Sequence, residues 1–326
     1  MTAMRTFMQS RRHRPPSRVE GFSLIELMVA LTIGLIIVAG MLASYATSSA
    51  SNRTNARVAE FQTNGRFATD FLRRELQHSG FAGLTWTNLT LTGTTAATND
   101  CDVGFAAKIA EPISGANDSN PFSGSCIPTA NYARGDILVV RRAGLDAKPT
   151  TETLLANTLY FRSDYGQGSV YPGPTRPGKG VACTDPAWIP DGWQCPVADY
   201  VLATDVYYIS PWTNAASESP KVPALYRMTL GAGPAMSAQL VASGIENMQV
   251  QYAVKTATGT RYQEASAVAA SDWTNVVAVR LWLLARSADA EPGYTNTTTY
   301  TMGDQTVTVN DHFQRQLFPL VVQLRN

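Results

Sequence analysis

The stretch GFSLIELMVALTIGLIIVAGML, Gly21 to Leu42, decides how the rest of the chain is read. Its one charged residue is Glu26, and the next charge along the chain is Arg53. From Phe22 to Ala43 the segment is long enough to cross a bilayer core of about 30 Å as a helix. A carboxylate within such a span costs a few kcal/mol and normally has a partner and a role. Glu26 therefore calls for an explanation that hydropathy does not provide.

On the N-terminal side lies a short basic leader. Residues 1–20 hold Arg5, Arg11, Arg12, Arg14 and Arg18 against Glu20, a net +4 in a chain whose total is +1, so the remainder is mildly acidic. Basic residues directly before a lone apolar span place that end in the cytoplasm and send the rest of the chain outward. An acidic head offers no electrostatic basis for nucleic-acid binding.

The cysteines agree with that topology. Cys101, Cys126, Cys183 and Cys195 all lie beyond the span, where an oxidising compartment preserves disulfides. Three connectivities are possible; the local pairs Cys101–Cys126 and Cys183–Cys195 are expected, because each closes a Pro/Gly/Asn-rich segment. Zinc is a poor alternative: there is no C-x-x-C, and beyond the leader the histidines are His78 and His312.

Past the span the helical pattern continues. No proline occurs between Tyr45 and His78, and Val58, Phe61, Ala68, Leu72 and Leu76 recur on one helical face, with Arg57, Arg66, Arg73, Arg74 and Glu75 elsewhere. Gly80 is the expected stop, with His78 in the last turn. A helix from Phe22 to Ser79 would be about 87 Å long, with Gly34, Gly40 and residues 47–54 as expected points of bending. Beyond Gly80 the period falls toward two. Asp136–Arg142, Tyr200–Ser210, Ala224–Leu230, Ile245–Val254 and Asn275–Arg286 read as strands. In the last, Val277, Val279, Leu281, Leu283 and Ala285 share a face opposite Arg280 and Arg286. Gln305–Asn310 and Gln316–Leu324 suggest a C-terminal hairpin, and residues 85–131 and 163–197 read as long loops. The expected fold class is α+β: a long N-terminal helix, membrane-spanning in its first half, packed on a β-rich antiparallel head.

Catalytic signatures do not hold up. GPTRPGKG, residues 173–180, begins like a phosphate-binding loop, but Gly180 stands where Ser or Thr should ligate magnesium, so a loop without nucleotide is expected. Gly231-Ala232-Gly233 lacks the third glycine of a dinucleotide site and reads as a turn. There is no G-x-S-x-G elbow. Asn117-Asp118-Ser119-Asn120 carries oxygen ligands without the spacing of a known calcium loop, and an ordinary polar turn is expected. Trp188 and Trp193, flanking the loop bounded by Cys183 and Cys195, are expected in a satellite core rather than a binding patch. No catalytic residue, cofactor or metal is assigned.

Gly21-Phe22-Ser23-Leu24-Ile25-Glu26-Leu27 after a basic leader resembles, position by position, the class III signal of type IV prepilins and type II secretion pseudopilins. GRFATDFLRRELQHSGFAG, LVASGIENMQVQYAV and SDWTNVVAVRLWLLARS further resemble the PilW family of minor pilins, relatives of the J-type pseudopilins. The resemblance implies a pilin-like head and cleavage after Gly21 on the cytoplasmic side by a prepilin peptidase. It implies N-methylation of Phe22 and retention of the apolar segment. Glu26, fifth in the mature chain, would then pair with an N-terminal amine as subunits assemble, since two costly buried charges offset one another when adjacent. The implied domains are a leader 1–21, a helix 22–79 and a head 80–326. The implied partners are the peptidase, other minor and major pilins and the inner-membrane pilus assembly platform. The implied location is the inner membrane, single-pass with a periplasmic head, and then the pilus or its tip. Two alternatives stay open: a type II secretion pseudopilin, and a secreted binding protein or hydrolase cut after Ala46 by an ordinary signal peptidase.

Overall fold

The structure, a computed structural model, describes residues 21–85, 90–92, 101–149, 151–177, 196–231 and 235–324. Helix α1 runs from Leu24 to Gln77, 54 residues. It continues as helix through Gly34, Gly40 and residues 47–54. Surrounding Leu, Ile, Val and Ala side chains offset the roughly 1 kcal/mol cost of each glycine. The Thr32 and Thr47 hydroxyls donate to the carbonyls of Val29 (2.9 Å) and Ala43 (3.0 Å), so neither needs water.

The chain divides into two compact units, residues 1–53 and 54–326. In the first, the apolar side chains of α1 are exposed throughout: Leu24, Ile36 and Met41 are each at least 66% accessible. In the second, α1 buries Phe61, Gly65, Ala68, Thr69, Leu72 and Leu76, which is the expected face with Val58 packed at its margin. Ion pairs occupy the helix flanks. Glu75 meets Arg142 at 3.2 Å and Arg57 meets Asp289 at 3.5 Å. Past Gln77 the chain turns, and Gly80 adopts φ +76°, the left-handed conformation that ends helices cheaply for glycine.

Two sheets complete the head among the described residues. The first joins β1 (Thr90–Thr92), β2 (Ile113–Ala116), β3 (Ile137–Lys148), β4 (Leu159–Ser163), β5 (Gln167–Pro172), β6 (Ala198–Ser210), β7 (Ala224–Leu230) and β8 (Met236–Ser243). Its path is β1-β5-β4-β6-β3-β2, with β7 and β8 attached through β6. All pairs are antiparallel except β1–β5. Strand β6 gives one edge to β3 and divides the other, Ala198–Val201 pairing with β4 and Asp205–Ser210 with β7. The second sheet has the order β10-β9-β11-β14, with β9 Ile245–Thr256, β10 Gly259–Glu264, β11 Val276–Arg286 and β14 Arg315–Gln323. Strands β12 (Thr299–Met302) and β13 (Gln305–Thr308) form a separate hairpin.

The principal core lies where α1 meets both sheets. Leu72 and Leu76 share it with Leu138, Val140 and Tyr207 of the first sheet and with Val250, Leu281 and Leu320 of the second. Gly65 is needed there, because a Cβ at that position would sit 2.3 Å from the Phe318 ring. The opposite face of the first sheet is covered by residues 101–127, whose Phe105, Phe122 and Ile127 pack on Ile137, Val139, Val206 and Tyr208. Short helix α2, Val103–Ala106, belongs to this cover. Arg141, itself buried, holds the cover down by donating to the carbonyls of Phe105 (3.1 Å) and Glu111 (3.0 Å).

Three sequence expectations are corrected. Residues 85–131 and 163–197 are not uninterrupted loops, since they contain β1, α2, β2 and β5. The C-terminal segments do not form a hairpin with each other: β13 pairs with β12, whereas β14 pairs with β11 along its full length. In β11 the register shifts between Val276 and Ala278, so Val276 enters the core and Val277 stays half-buried. Hydrogen-bond parity also sets the character of one sheet edge. Ser287 N–H donates to Gln314 O and Leu324 N–H to Val277 O, so even-numbered residues of β14 turn their backbone groups inward. Leu317, Pro319, Val321 and Gln323 turn theirs to the outer edge, which no strand covers among the described residues.

Candidate functional site

Gly21, Phe22 and Ser23 precede the first turn of α1. A Cβ placed on Gly21 meets nothing within 4 Å among the described residues, so packing among those residues does not require glycine there. Phe22 is 89% exposed. At the helix start, Ser23 N–H donates to Glu26 Oε2 (3.0 Å) and Glu26 N–H donates to Ser23 Oγ (3.3 Å). Ser23 is the N-cap, its carbonyl accepting from Leu27 N–H at 3.2 Å. This is a reciprocal capping box, which satisfies two of the orphan amides that every helix start presents. The carboxylate also faces the positive end of the helix dipole.

The capping role is one that family resemblance and hydropathy both pass over, although Ser23-Leu24-Ile25-Glu26 carries its S-x-x-E signature. It gives Glu26 a function before any partner arrives.

In the head the charged groups are locked into structure. Asp199, with no solvent exposure, accepts both arms of Arg162 (2.8 and 2.9 Å), the Tyr171 hydroxyl (2.6 Å) and Arg176 Nε (2.8 Å). Burial pushes its carboxyl up, but the Arg162 and Tyr171 hydrogen bonds outweigh burial and hold it below the usual range. Arg176 belongs to the GPTRPGKG segment and donates also to the carbonyls of Pro149 (3.0 Å) and Glu152 (2.9 Å). The described part of that segment, residues 173–177, is thus anchored by its arginine. A carboxylate so fully occupied has no lone pair to offer a substrate. Residues 162 and 199 lie on different strands, and nothing in their sequence spacing pairs them.

Arg315 forms a second clamp, donating to Glu246 (2.6 Å) and Asp311 (2.6 and 2.7 Å). Asp136, fully buried, accepts from the amides of Asp118 (3.0 Å) and Val250 (2.7 Å), and burial pushes its carboxyl up to about 7. His78 comes just after the last turn of α1, and His312 is exposed at the far end of the chain.

Cys101 and Cys126 are joined by a disulfide that closes the cover over the first sheet. Cys183 and Cys195, with Trp188 and Trp193, lie outside the described residues, as does the leader up to residue 20. Among the described residues no three carboxylate, imidazole or thiolate side chains converge to hold a metal by themselves.

Residues 206–326 match the family described as Type IV Pilus-assembly protein W, and residues 16–42 match the Prokaryotic N-terminal methylation motif. The first match begins within β6 and takes in the whole second sheet; the second contains Gly21, Phe22 and Glu26. Among solved structures the chain is similar to the type IV-like pilin TTHA1219 from Thermus thermophilus. The identity is 14% and the TM-score 0.34, over 83% of this chain and 95% of that one. No curated protein matches.

Proposed function

We propose that the chain is a minor pilin of type IV pili in the PilW family, whose model matches residues 206–326, and that it works in a priming or tip complex, joining the filament after leader cleavage. Its methylation motif implies that it is a prepilin peptidase substrate with other pilins as partners, and its apolar helix implies membrane anchoring. The finer reading assigns cleavage to the Gly21–Phe22 bond and N-methylation to Phe22. The leader 1–21 is lost, and the helix 22–79 and head 80–326 remain. The head then waits in the periplasm, tethered in the inner membrane, until the assembly platform extracts the helix laterally into a bundle of homologous helices. Glu26 offsets an N-terminal charge in that bundle. The head serves as a structural part, a reading supported by its buried carboxylates Asp199 and Asp136, which are occupied by hydrogen-bond donors.

One observation carries this reading: a glycine that packing among the described residues does not need, directly before an exposed apolar span, residues 22–52, whose only charge, Glu26, is held at the first turn of its helix. Head size favours a minor position. About 247 residues exceed the usual domain mode and would crowd a shaft built from repeated copies.

Mass spectrometry of the mature chain tests the reading. The expected N-terminus is N-methylated Phe22 with the apolar segment retained, and Gly21→Leu should leave the full-length precursor in the membrane. A mature chain starting at Thr47 would overturn the assignment. Subunit counting in sheared pili tests the position: stoichiometry equal to that of the shaft subunit would exclude the tip or priming role.

A further inference from the structure

Residues Asn117 and Asp118 lie in the turn after β2, where the sequence suggested only a polar loop. Folding brings distant oxygens to it. Gln249 on β9 donates its Nε2 to Asp118 Oδ1 at 3.0 Å, across 131 residues of sequence. Asn117 donates its Nδ2 to Asp304 Oδ2 at 3.0 Å, across 187 residues, reaching the β12–β13 turn. Glu264, at the end of β10, uses Oε1 to accept from Gln251 Nε2 at 2.6 Å.

Each of these arrangements leaves one acceptor behind. Asn117 Oδ1, Gln249 Oε1 and Glu264 Oε2 are all buried and all without a hydrogen-bond partner. Gln249 has no solvent exposure at all, and its amide is fixed within the cluster by the bonds it donates to Asp118 and to Asn247. All three orphans are oxygens that can only accept. An unsatisfied buried acceptor is costly, and of the nine buried unpartnered side-chain atoms among the described residues these three acceptors are the ones linked through Asp118 and Asp304, by hydrogen bonds from Gln249 and Asn117 and by the electrostatic effect of both carboxylates on Glu264. Around them stand the carboxylates of Asp118, Asp136, Glu264 and Asp304, each close enough to act electrostatically on at least one other. No Lys or Arg among the described residues forms an ion pair with any of the four.

We propose that this cluster is a calcium site, with Glu264, Asn117 and Gln249 supplying oxygens and Asp118 and Asp304 closing it from the exposed side. The ligand chemistry selects the ion. No three carboxylates converge on one point, so amide oxygens must contribute, and there is no sulfur or imidazole donor. Calcium accepts mixed carboxylate and amide oxygens at six to eight positions with flexible geometry. Magnesium demands a tighter octahedron and keeps its water, and transition metals favour nitrogen and sulfur. Bound calcium would tie the β2 turn, the β9–β10 pair and the β12–β13 hairpin together, three segments otherwise joined there by single hydrogen bonds.

The test uses the full chain in detergent, stripped with a chelator and titrated with Ca2+ and separately with Mg2+ by calorimetry, alongside thermal unfolding. The expected result is saturable Ca2+ binding at or below about 1 mM, the range of extracellular calcium modules, with a raised unfolding midpoint and a much smaller response to Mg2+. Glu264→Gln and Asp304→Asn should each weaken Ca2+ binding by at least about tenfold. Without calcium the same variants should unfold at an equal or higher temperature, because each removes a charge that repels its neighbours. That reversal of sign identifies an ion site. Absence of binding heat and of any midpoint shift near 1 mM Ca2+ would overturn the proposal. So would variants that shift the midpoint identically with and without calcium, which is the behaviour of oxygens that hold only water. Asp304 is exposed on a hairpin turn, so its variant remains informative even if Glu264→Gln fails to fold.

Discussion

The capping role of Glu26 and the assembly role proposed for it cannot be separated by a single alanine substitution, and the capping box supplies the means to do so. Glutamine at this position keeps the side-chain oxygen that accepts from Ser23 N–H, because Glu and Gln serve equally at the third helical position. Glu26→Gln therefore removes the charge and retains the box. Ser23→Ala does the converse: it deletes the hydroxyl that accepts from Glu26 N–H and leaves the carboxylate. The cap is worth about 1 kcal/mol, and the dipole contribution of the charge about 0.3–1 kcal/mol. Leaving an N-terminal ammonium unpaired inside a helix bundle costs about 3–5 kcal/mol, at least a hundredfold in the incorporation equilibrium at 1.4 kcal/mol per tenfold. Processed protein in membranes should be compared with protein in sheared pili for each variant. Both should be cleaved and inserted normally. Glu26→Gln should be depleted from pili by two orders of magnitude or more, whereas Ser23→Ala should fall less than tenfold. Wild-type incorporation of Glu26→Gln would refute charge pairing and leave the carboxylate with its capping role alone.

Four further expectations concern the head. Gly65→Ala gains about 1 kcal/mol in helix propensity but drives a methyl into the Phe318 ring at 2.3 Å, an overpacking cost of about 1–3 kcal/mol; urea unfolding should show net loss, recovered by Phe318→Leu. Cys101→Ser opens a loop of 25 residues and should cost about 3 kcal/mol, while a non-reduced digest of the wild type should yield a peptide joining Cys101 to Cys126. Asp199→Asn strands Arg162 as an uncompensated buried cation, and a loss of about 3–5 kcal/mol is expected in the same unfolding assay. The pH response should be two-sided. Asp136 binds its proton more tightly folded than unfolded, so stability falls as pH rises from about 4 through 7, whereas the contribution of Asp199 is present above the usual carboxyl range and disappears in stronger acid.

The amphipathic half of α1 was legible because Phe61, Ala68, Leu72 and Leu76 repeat at helical spacing, and β7 matched its expected limits of Ala224–Leu230. Strand β4 was missed for a physical reason: all five residues of Leu159–Ser163 are buried, Arg162 included, so no alternation marks it. Strand β2 is four residues with a central glycine, and β10 lies exposed or half-exposed along its length; neither leaves a period to read. The shift that admits Val276 to the core depends on how β11 meets β9, which local pattern does not encode. At the functional end, Gly21, Phe22 and Glu26 stand in a contiguous signature, as does the capping box. The clamps on Asp199 and Arg315, and the oxygens around Gln249, are assembled by topology from residues far apart in sequence.

The open edge of β14 bears on how the head avoids joining a sheet that is not its own. An uncovered strand of nine residues is a template onto which a stray strand could zip. Along that edge Leu317, Val321 and Gln323 present amides, but Pro319, at the middle of the row, has none to present. A newcomer strand would meet a missing rung halfway along and lose its ladder there. The proline costs β14 nothing on the side facing β11, since its backbone groups point away from that partner. One imino acid, placed by parity on the outward row, thus guards the head against sheet fusion.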